Sequence, residues 1–351
     1  MAAILDTFSA LPRLLQFGLG SFAVLGVGLV DRLTGPLFSL AIFYLVPVTL
    51  TAWLLGRWAG NLQALLAAAV WAVADQLGPV SEPKSAISYW NDVILLAVFL
   101  VIVYLVGTLK ATWALENEVL ADVQGTLLPG EISQVPGCHV AGRWQPAGAV
   151  GGDYYDVLPV AGGAVTVCIA DVSGKGIPAA LMMSNVQAGL RTIVGNGLSP
   201  AAAAGRLNSL VSANTRANSF VTLFLGVLDP SRGRLVFCNA GHPAPMLVRR
   251  DGSWQRLTRG GPVLGVFPSA SYLDEEIELR PGDRIVLYTD GVTERTGSGG
   301  EEFGEDRLLQ VVRLNRDKDA DDLCDAILAE TDRFGRGRFE DDLTIVVAAV
   351  T

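Results

Sequence analysis

Four apolar runs fill most of the first 110 positions: Leu14–Val30, Leu37–Leu55, Leu62–Leu77 and Val93–Thr108. A helix that crosses a bilayer needs about 20 mostly apolar residues. The second and fourth runs reach that length with their flanks. The first is slightly short and glycine-rich, and it lacks the small-residue cleavage site of a leader. The third carries Asp75, with Asn61 and Gln63 at its start, and also reads as a buried amphipathic helix. The pattern predicts a four-helix transmembrane unit over residues 1–109. Asp75 is then either an intramembrane carboxylate, which is costly and often functional, or an interfacial residue ahead of Gly78-Pro79. Four spans return both ends to one side. Arg13, Arg57 and Lys110 share that side against Arg32 and Lys84, a positive-inside bias that puts the second half in the cytoplasm.

From Lys110 to Leu128 the chain reads K-A-T-W-A-L-E-N-E-V-L-A-D-V-Q-G-T-L-L and stops at Pro129-Gly130. Trp113, Leu115, Val119, Leu120 and Leu127 keep helical spacing, which predicts a helical linker over 110–130. At under three heptads the 110–128 helix reads either as a homodimer contact or as a plain amphipathic connector. After Pro136 the period shortens to two. Strands are predicted at His139–Gln145, Tyr154–Pro159, Ala164–Asp171, Val221–Leu228, Arg234–Asn239, Pro245–Arg249, Tyr272–Leu279, Arg284–Thr289 and Leu343–Val350. Helices are predicted near Pro178–Gly195, Pro200–Ala217, Asp306–Asn315 and Ala320–Phe334. Many strands with two helix pairs make residues 131–351 a layered α+β domain.

Composition sharpens this division. Half of the 351 residues are hydrophobic, and acidic residues are sparse before about position 115 and frequent after 270. That contrast sets a half that meets membrane lipid beside an acidic soluble half. The net charge of -9 argues against nucleic acid as a partner. Cys138, Cys168, Cys238 and Cys324 lie far apart, as small buried residues of a reducing compartment do, and form no zinc or disulfide pattern.

The acids of the soluble half fall at strand ends. Asp153 follows Gly151-Gly152 and precedes a strand, Asp171 ends V-T-V-C-I-A-D, Asp290 ends R-I-V-L-Y-T-D, and Asp341-Asp342 begin L-T-I-V-V-A-A-V. One such Asp is a common turn residue. Several brought together would repel unless a cation neutralised them. Oxygen ligands without His or Cys suit hard ions such as magnesium or manganese. Glycines beside the acids let backbone come close, and Gly151-Gly152 would free the backbone so that Asp153 turns inward; Tyr154 and Tyr155 would face opposite ways, and Asp156 reads chiefly as a supporting residue.

At these residues the soluble half resembles the SpoIIE/RsbU-like bacterial branch of PPM-type, metal-dependent serine/threonine protein phosphatases. The matching stretches are P-A-G-A-V-G-G-D-Y-Y-D (146–156), I-A-D-V-S-G-K-G-I-P-A-A-L-M-M (169–183), N-A-G-H-P-A-P (239–245), L-Y-T-D-G-V-T-E (287–294) and D-D-L-T-I-V-V (341–347). The resemblance implies an α-β-β-α sandwich with two divalent cations, Mn or Mg, in its cleft. It implies ligation by Asp153, Asp171, the carbonyl of Val172, Asp290 and Asp341, with Asp342 the competing choice to Asp341. It further implies hydrolysis of phosphoserine or phosphothreonine on a cytoplasmic signalling protein, typically an anti-sigma-factor antagonist, by an enzyme anchored in the plasma membrane by several spans. The arginine that grips phosphate in longer relatives has no clear counterpart, so Lys175, Arg143 or the metals alone remain candidates.

Rival readings are weaker. His242 in N-A-G-H-P has no G-x-S-x-G partner for a catalytic triad and reads as a turn-stabilising residue. Gly174-Lys175-Gly176 lacks the spacing of a nucleotide loop, and Gly-Gly-Asp continues as Tyr-Tyr-Asp, unlike a diguanylate cyclase. The alternative of another class is a catalytically weak membrane module that binds a regulatory partner, and a transporter reading has only four short runs behind it.

Overall fold

The computed structural model describes residues 11–34, 40–76, 86–130, 132, 134–160, 162–194, 197–214, 219–336, 339 and 341–351. Expectations touching Leu37, Leu77, Gly78-Pro79, Lys84, Gly195 and Ala217 lie outside the described residues. The chain divides into two compact units, Met1–Glu116 and Asn117–Thr351.

In the first unit each apolar run is helical: α1 (Arg13–Thr34), α2 (Ala41–Leu55), α3 (Arg57–Gln76) and the start of α4 (Ala86–Gly125). Among the described residues two helices are long and apolar enough to cross a membrane, Arg13–Thr34 and Tyr89–Gly125, where the sequence predicts four spans. The difference is physical. The 15 residues of α2 reach about 23 Å at 1.5 Å each, short of a hydrocarbon core of about 30 Å. In α3 the apolar run is diluted by Asn61, Gln63 and Asp75, the last exposed in the final turn. The helices pack through Val24, Tyr44, Val48, Ala52, Ala64, Ala67, Phe99 and Val103. Where α2 and α3 meet, a Cβ on Gly60 would stand 2.7 Å from that of Ala52. Large apolar side chains also face outward, among them Phe22, Leu29, Ile42, Phe43, Leu62 and Leu105. The fourth run and the linker form a single helix of 40 residues, about 60 Å long, which ends at Gly125.

The second unit is four-layered. One sheet has the order β1-β11-β10-β6-β7 and the other β2-β3-β4-β5-β8, with β9 paired to β5. These strands are β1 (Cys138–Gln145), β2 (Tyr154–Val160), β3 (Ala164–Val172), β4 (Val221–Asp229), β5 (Arg234–Ala240), β6 (Met246–Val248), β7 (Trp254–Arg256), β8 (Gly260–Gly261), β9 (Glu275–Glu278), β10 (Arg284–Tyr288) and β11 (Leu343–Val350). Helices α5 (Ile177–Val194) and α6 (Pro200–Asn214) cover the β2–β5 sheet. The other sheet is covered by α8 (Gly304–Leu314) and α9 (Ala320–Gly335); the short α7 (Asp290–Thr293) follows β10.

Strand β11 shows how the sequence builds this. All eight of its residues are buried. Val346, Ala348 and Val350 enter the core between the sheets, whereas Leu343, Ile345, Val347 and Ala349 meet the helices. A period of two with both faces covered requires an unbroken apolar run. Tyr155 likewise joins the inter-sheet core and Tyr154 the helix side. The four cysteines are free and buried. Burial pushes Cys138, Cys238 and Cys324 up to about 12 and Cys168 well above its ordinary value.

His242 bridges the sheets. Its Nδ1 lies 2.8 Å from the Thr222 hydroxyl on β4 and its Nε2 lies 3.1 Å from the Tyr288 carbonyl on β10. A neutral ring satisfies both contacts, with Nε2–H donating to Tyr288 and Nδ1 accepting from Thr222. Burial pushes its pKa down to about 3. The folded value lies below the ordinary one of about 6.5, so the ring's contribution is present above that pH and is lost as pH falls toward 3. Denaturant unfolding between pH 6.5 and 4 is expected to carry a slope of up to about 1.4 kcal/mol per pH unit from this ring. His242→Gln should flatten the curve by that amount, and equal slopes in the two proteins would remove His242 from the acid response.

Candidate active site

Asp153, Asp171, Asp290 and Asp341 come from one end of the sandwich. Tyr154 pairs with Ala170, which sets Asp153 beside Asp171 at the neighbouring rung. Strands β10 and β11 are hydrogen-bonded neighbours, so Asp290 after the first and Asp341 before the second lie close. Asp153, 1% exposed, joins the two sheets: its Oδ2 accepts from Thr289 Oγ1 at 2.8 Å and Thr344 Oγ1 at 2.5 Å.

The electrostatics follow from this crowding. Burial raises the Asp153 pKa well above the ordinary carboxylate value, and the charge of Asp171 adds to it. Asp171 is pushed up to about 7, first by burial and then by Asp290, Asp341 and Asp342. Asp290 is raised by burial and by Asp341, against the Gly291 amide and Lys175. Even so, among the described residues no three His, Cys, Asp or Glu side chains close into a compact group that could hold an ion as they stand. Like charges repel, and Lys175 Nζ takes Asp341 Oδ2 at 2.9 Å. The donor set still fits a hard divalent cation: several carboxylates, no His or Cys, and mutual repulsion that positive charge relieves.

The doubled acid has two different environments. Asp342 Oδ1 accepts from the Ala147 amide at 2.8 Å and Oδ2 from the Gly152 amide at 2.6 Å, so both oxygens staple the 146–153 loop. Asp341 turns toward Lys175. The glycines are needed for space. A Cβ on Gly152 would lie 2.8 Å from the Val172 carbonyl, and one on Gly291 would lie 1.9 Å from the Asp342 carbonyl. Neither has the left-handed φ that would call for backbone freedom. Asp156 is buried and supports β2 and α5, accepting from Tyr154 Oη and Arg191 Nε, each at 2.7 Å.

Beside the carboxylates a 260 Å³ cleft is lined by Lys175, Gly291, Glu294, Arg295, Thr296, Glu302 and Asp341. Arg295 is 5% exposed, with its guanidinium 3.9 Å from the Phe339 ring centre and 3.8 Å from Asp332. The sequence offered no reason to select Arg295 or Glu302; Glu294 was visible only as the end of T-D-G-V-T-E. Arg143, a candidate for gripping phosphate, is engaged elsewhere. Its guanidinium binds Asp325 at 2.8 Å and Asp321 at 3.1 Å on α9, and it is absent from the cleft lining. Its strand orientation, unreadable before the sheet order is known, sends it to the helix layer.

Gly291→Ala is expected to destabilise the second unit by about 1–3 kcal/mol, the usual cost of overpacking, and to abolish catalysis. Gly148→Ala, where a Cβ finds only the Val150 carbonyl at 3.7 Å, should be tolerated. Thermal unfolding and turnover of the two variants check the contrast.

Residues 161–351 match the stage II sporulation protein E (SpoIIE) family. The chain is 31% identical over 234 residues to the phosphoserine phosphatase RsbU of Bacillus subtilis, covering 66% of this chain and 69% of that protein. It is 28% identical over 228 residues to the protein IcfG of Synechocystis, covering 57% of this chain and 36% of that longer protein. The SiaA PP2C domain of Pseudomonas aeruginosa has the same fold, with a TM-score of 0.62 at 22% identity, covering 69% of this chain and 98% of that domain. A structure of RsbU and RsbW domains from Mycobacterium tuberculosis gives a TM-score of 0.55 at 28% identity, covering 64% of this chain and 63% of that one. With the family matched over more than half its length, and its strand-end carboxylates on a PP2C-type sandwich, this chain belongs to the SpoIIE family and is a metal-dependent phosphoprotein phosphatase.

Proposed function

We propose that the enzyme removes phosphate from phosphoserine or phosphothreonine on a cytoplasmic signalling protein, of the anti-sigma-factor antagonist kind, while anchored in the plasma membrane. The carrying observation is the set of carboxylates gathered at one end of the sandwich beside a cleft, where burial and neighbouring charge raise Asp153, Asp171 and Asp290. Asp153, Asp171, the Val172 carbonyl, Asp290 and Asp341 would hold two divalent cations, Mg or Mn. Bound there, such ions supply Lewis acidity and a water of lowered pKa. Asp341 is the better ligand of the doubled pair because both oxygens of Asp342 already accept from backbone. Lys175 stands at the mouth of the cleft, where its charge suits an incoming phosphate. Hydroxyls of Thr289 and Thr344 orient Asp153, as supporting residues of a metal site do.

The chain is organised as a membrane domain over 1–109, a helical linker over 110–130 and a phosphatase domain over 131–351. A four-helix membrane unit remains the reading for the first part, with α1 and α4 the two helices long and apolar enough to cross. The outward-facing apolar residues of its helices support contact with lipid. Leu115, Val119 and Val123 are all exposed on α4 at four-residue spacing, which supports a homodimer through 110–128.

Turnover of a phosphoserine peptide is expected to require added Mn or Mg and to stop with a chelator. Asp171→Asn and Asp290→Asn should each lower it by at least about 100-fold; wild-type rates in both would end the two-cation reading. Asp341→Asn should weaken cation binding more than Asp342→Asn. Light scattering in detergent should report a dimer that Val119→Glu dissociates, and a monomer at every concentration would exclude the linker contact.

A further inference from the structure

We propose that Gln124 is a positioning residue for the cation-binding loop, holding the Gly151 peptide so that Asp153 is correctly presented; this rests on the two-cation reading above. Gln124 lies next to the C-terminal residue of α4 and is 3% exposed. Its side-chain amide takes both backbone groups of one residue. Nε2 donates to the Gly151 carbonyl at 2.6 Å, and Oε1 accepts from the Gly151 N–H at 2.9 Å. A planar amide offers one donor edge and one acceptor edge, which match the acceptor and donor of a single residue much as a paired strand does. The group is neutral, so it fixes the loop without adding charge to an acid-rich site.

Three consecutive residues are thereby captured in sequence. Gly151 is held by Gln124, the Gly152 amide by Asp342 Oδ2, and the Asp153 carboxylate by Thr289 and Thr344. Position 151 has no space for a side chain, since a Cβ there would stand 2.3 Å from Asp342 Oδ2. Asp342, Thr289 and Thr344 lie at the ends of β10 and β11, whereas Gln124 comes from a helix outside both sheets. The segment after that helix is itself fixed: Gln187 of α5 donates to the Leu127 carbonyl, and Leu128 packs against the inter-sheet core and the α5–α6 core. Gln124 thus transfers the position of a docked helix end to the peptide two residues before Asp153.

The test compares Gln124→Leu, which removes both hydrogen bonds, with Gln124→Glu, which keeps an acceptor for the Gly151 N–H and loses the donor to its carbonyl. In the full-length protein, Mn2+ binding is titrated by the resonance signal of the free ion, p-nitrophenyl phosphate turnover is measured against Mn2+ concentration, and folding is followed by circular dichroism. Both variants are expected to bind Mn2+ about 10–100-fold more weakly, to recover most of their kcat at saturating Mn2+, and to stay folded without it at a melting temperature lowered by the unpaired Gly151 groups. If one fails to fold, the other decides. Wild-type Mn2+ affinity in a folded variant overturns the proposal, as does a fall in kcat that Mn2+ cannot restore. Asp171→Asn separates the two levels. If it binds Mn2+ like the wild type, the two-cation reading fails and takes this inference with it. If it loses Mn2+ while the Gln124 variants keep it, the role of Gln124 alone is rejected.

Discussion

Repulsion among like charges held in a partly dry place is the constraint around which the second unit is built. Asp153, Asp171, Asp290 and Asp341 share one end of the sandwich, and burial strengthens every interaction among them. Nothing in a sheet by itself keeps such groups together. The chain does so with directed hydrogen bonds: two threonine hydroxyls on Asp153, two backbone amides on Asp342 and a lysine on Asp341. The strands carrying these acids are buried along nearly their whole length, so the ends are presented by rigid elements. A site under internal electrostatic stress thus sits on the part of the molecule least able to relax it.

Much of this architecture was legible in the sequence because the relevant signals are local. Leu343–Val350 is an apolar run broken only by Thr344, and it forms the strand its composition demands. The four acids follow or precede such runs, so their location at strand ends could be read directly. What could not be read depends on partners distant along the chain. Arg143 was a fair choice for phosphate until sheet order turned it toward Asp321 and Asp325. The segment Tyr272–Leu279 was expected to be extended throughout, yet only Glu275–Glu278 pairs, because β5 offers it that length. The short strand Trp254–Arg256 leaves no mark in the sequence, since three residues show no periodicity.

The glycines show the difference between a right residue and a right reason. Gly151 and Gly152 were expected to loosen the backbone. Their φ angles are ordinary, and their value is that a neighbouring carboxylate and carbonyl fill the space a side chain would need. Gln124 was invisible for a related cause. It belongs to a segment whose helical period explains its apolar residues and says nothing about a buried amide. In the first unit the four apolar runs were easy to find, whereas their lengths as helices were set by where polar residues interrupt them.

The cysteines have a chemical consequence. A thiol reacts with peroxide or with alkylating agents as its thiolate, and all four sulfurs here are enclosed and held protonated. Hydrolysis that relies on carboxylates and uses no sulfur nucleophile would continue under oxidants that silence phosphatases built on an exposed, acidic thiol. The four cysteines therefore offer such reagents no reactive thiolate in this enzyme.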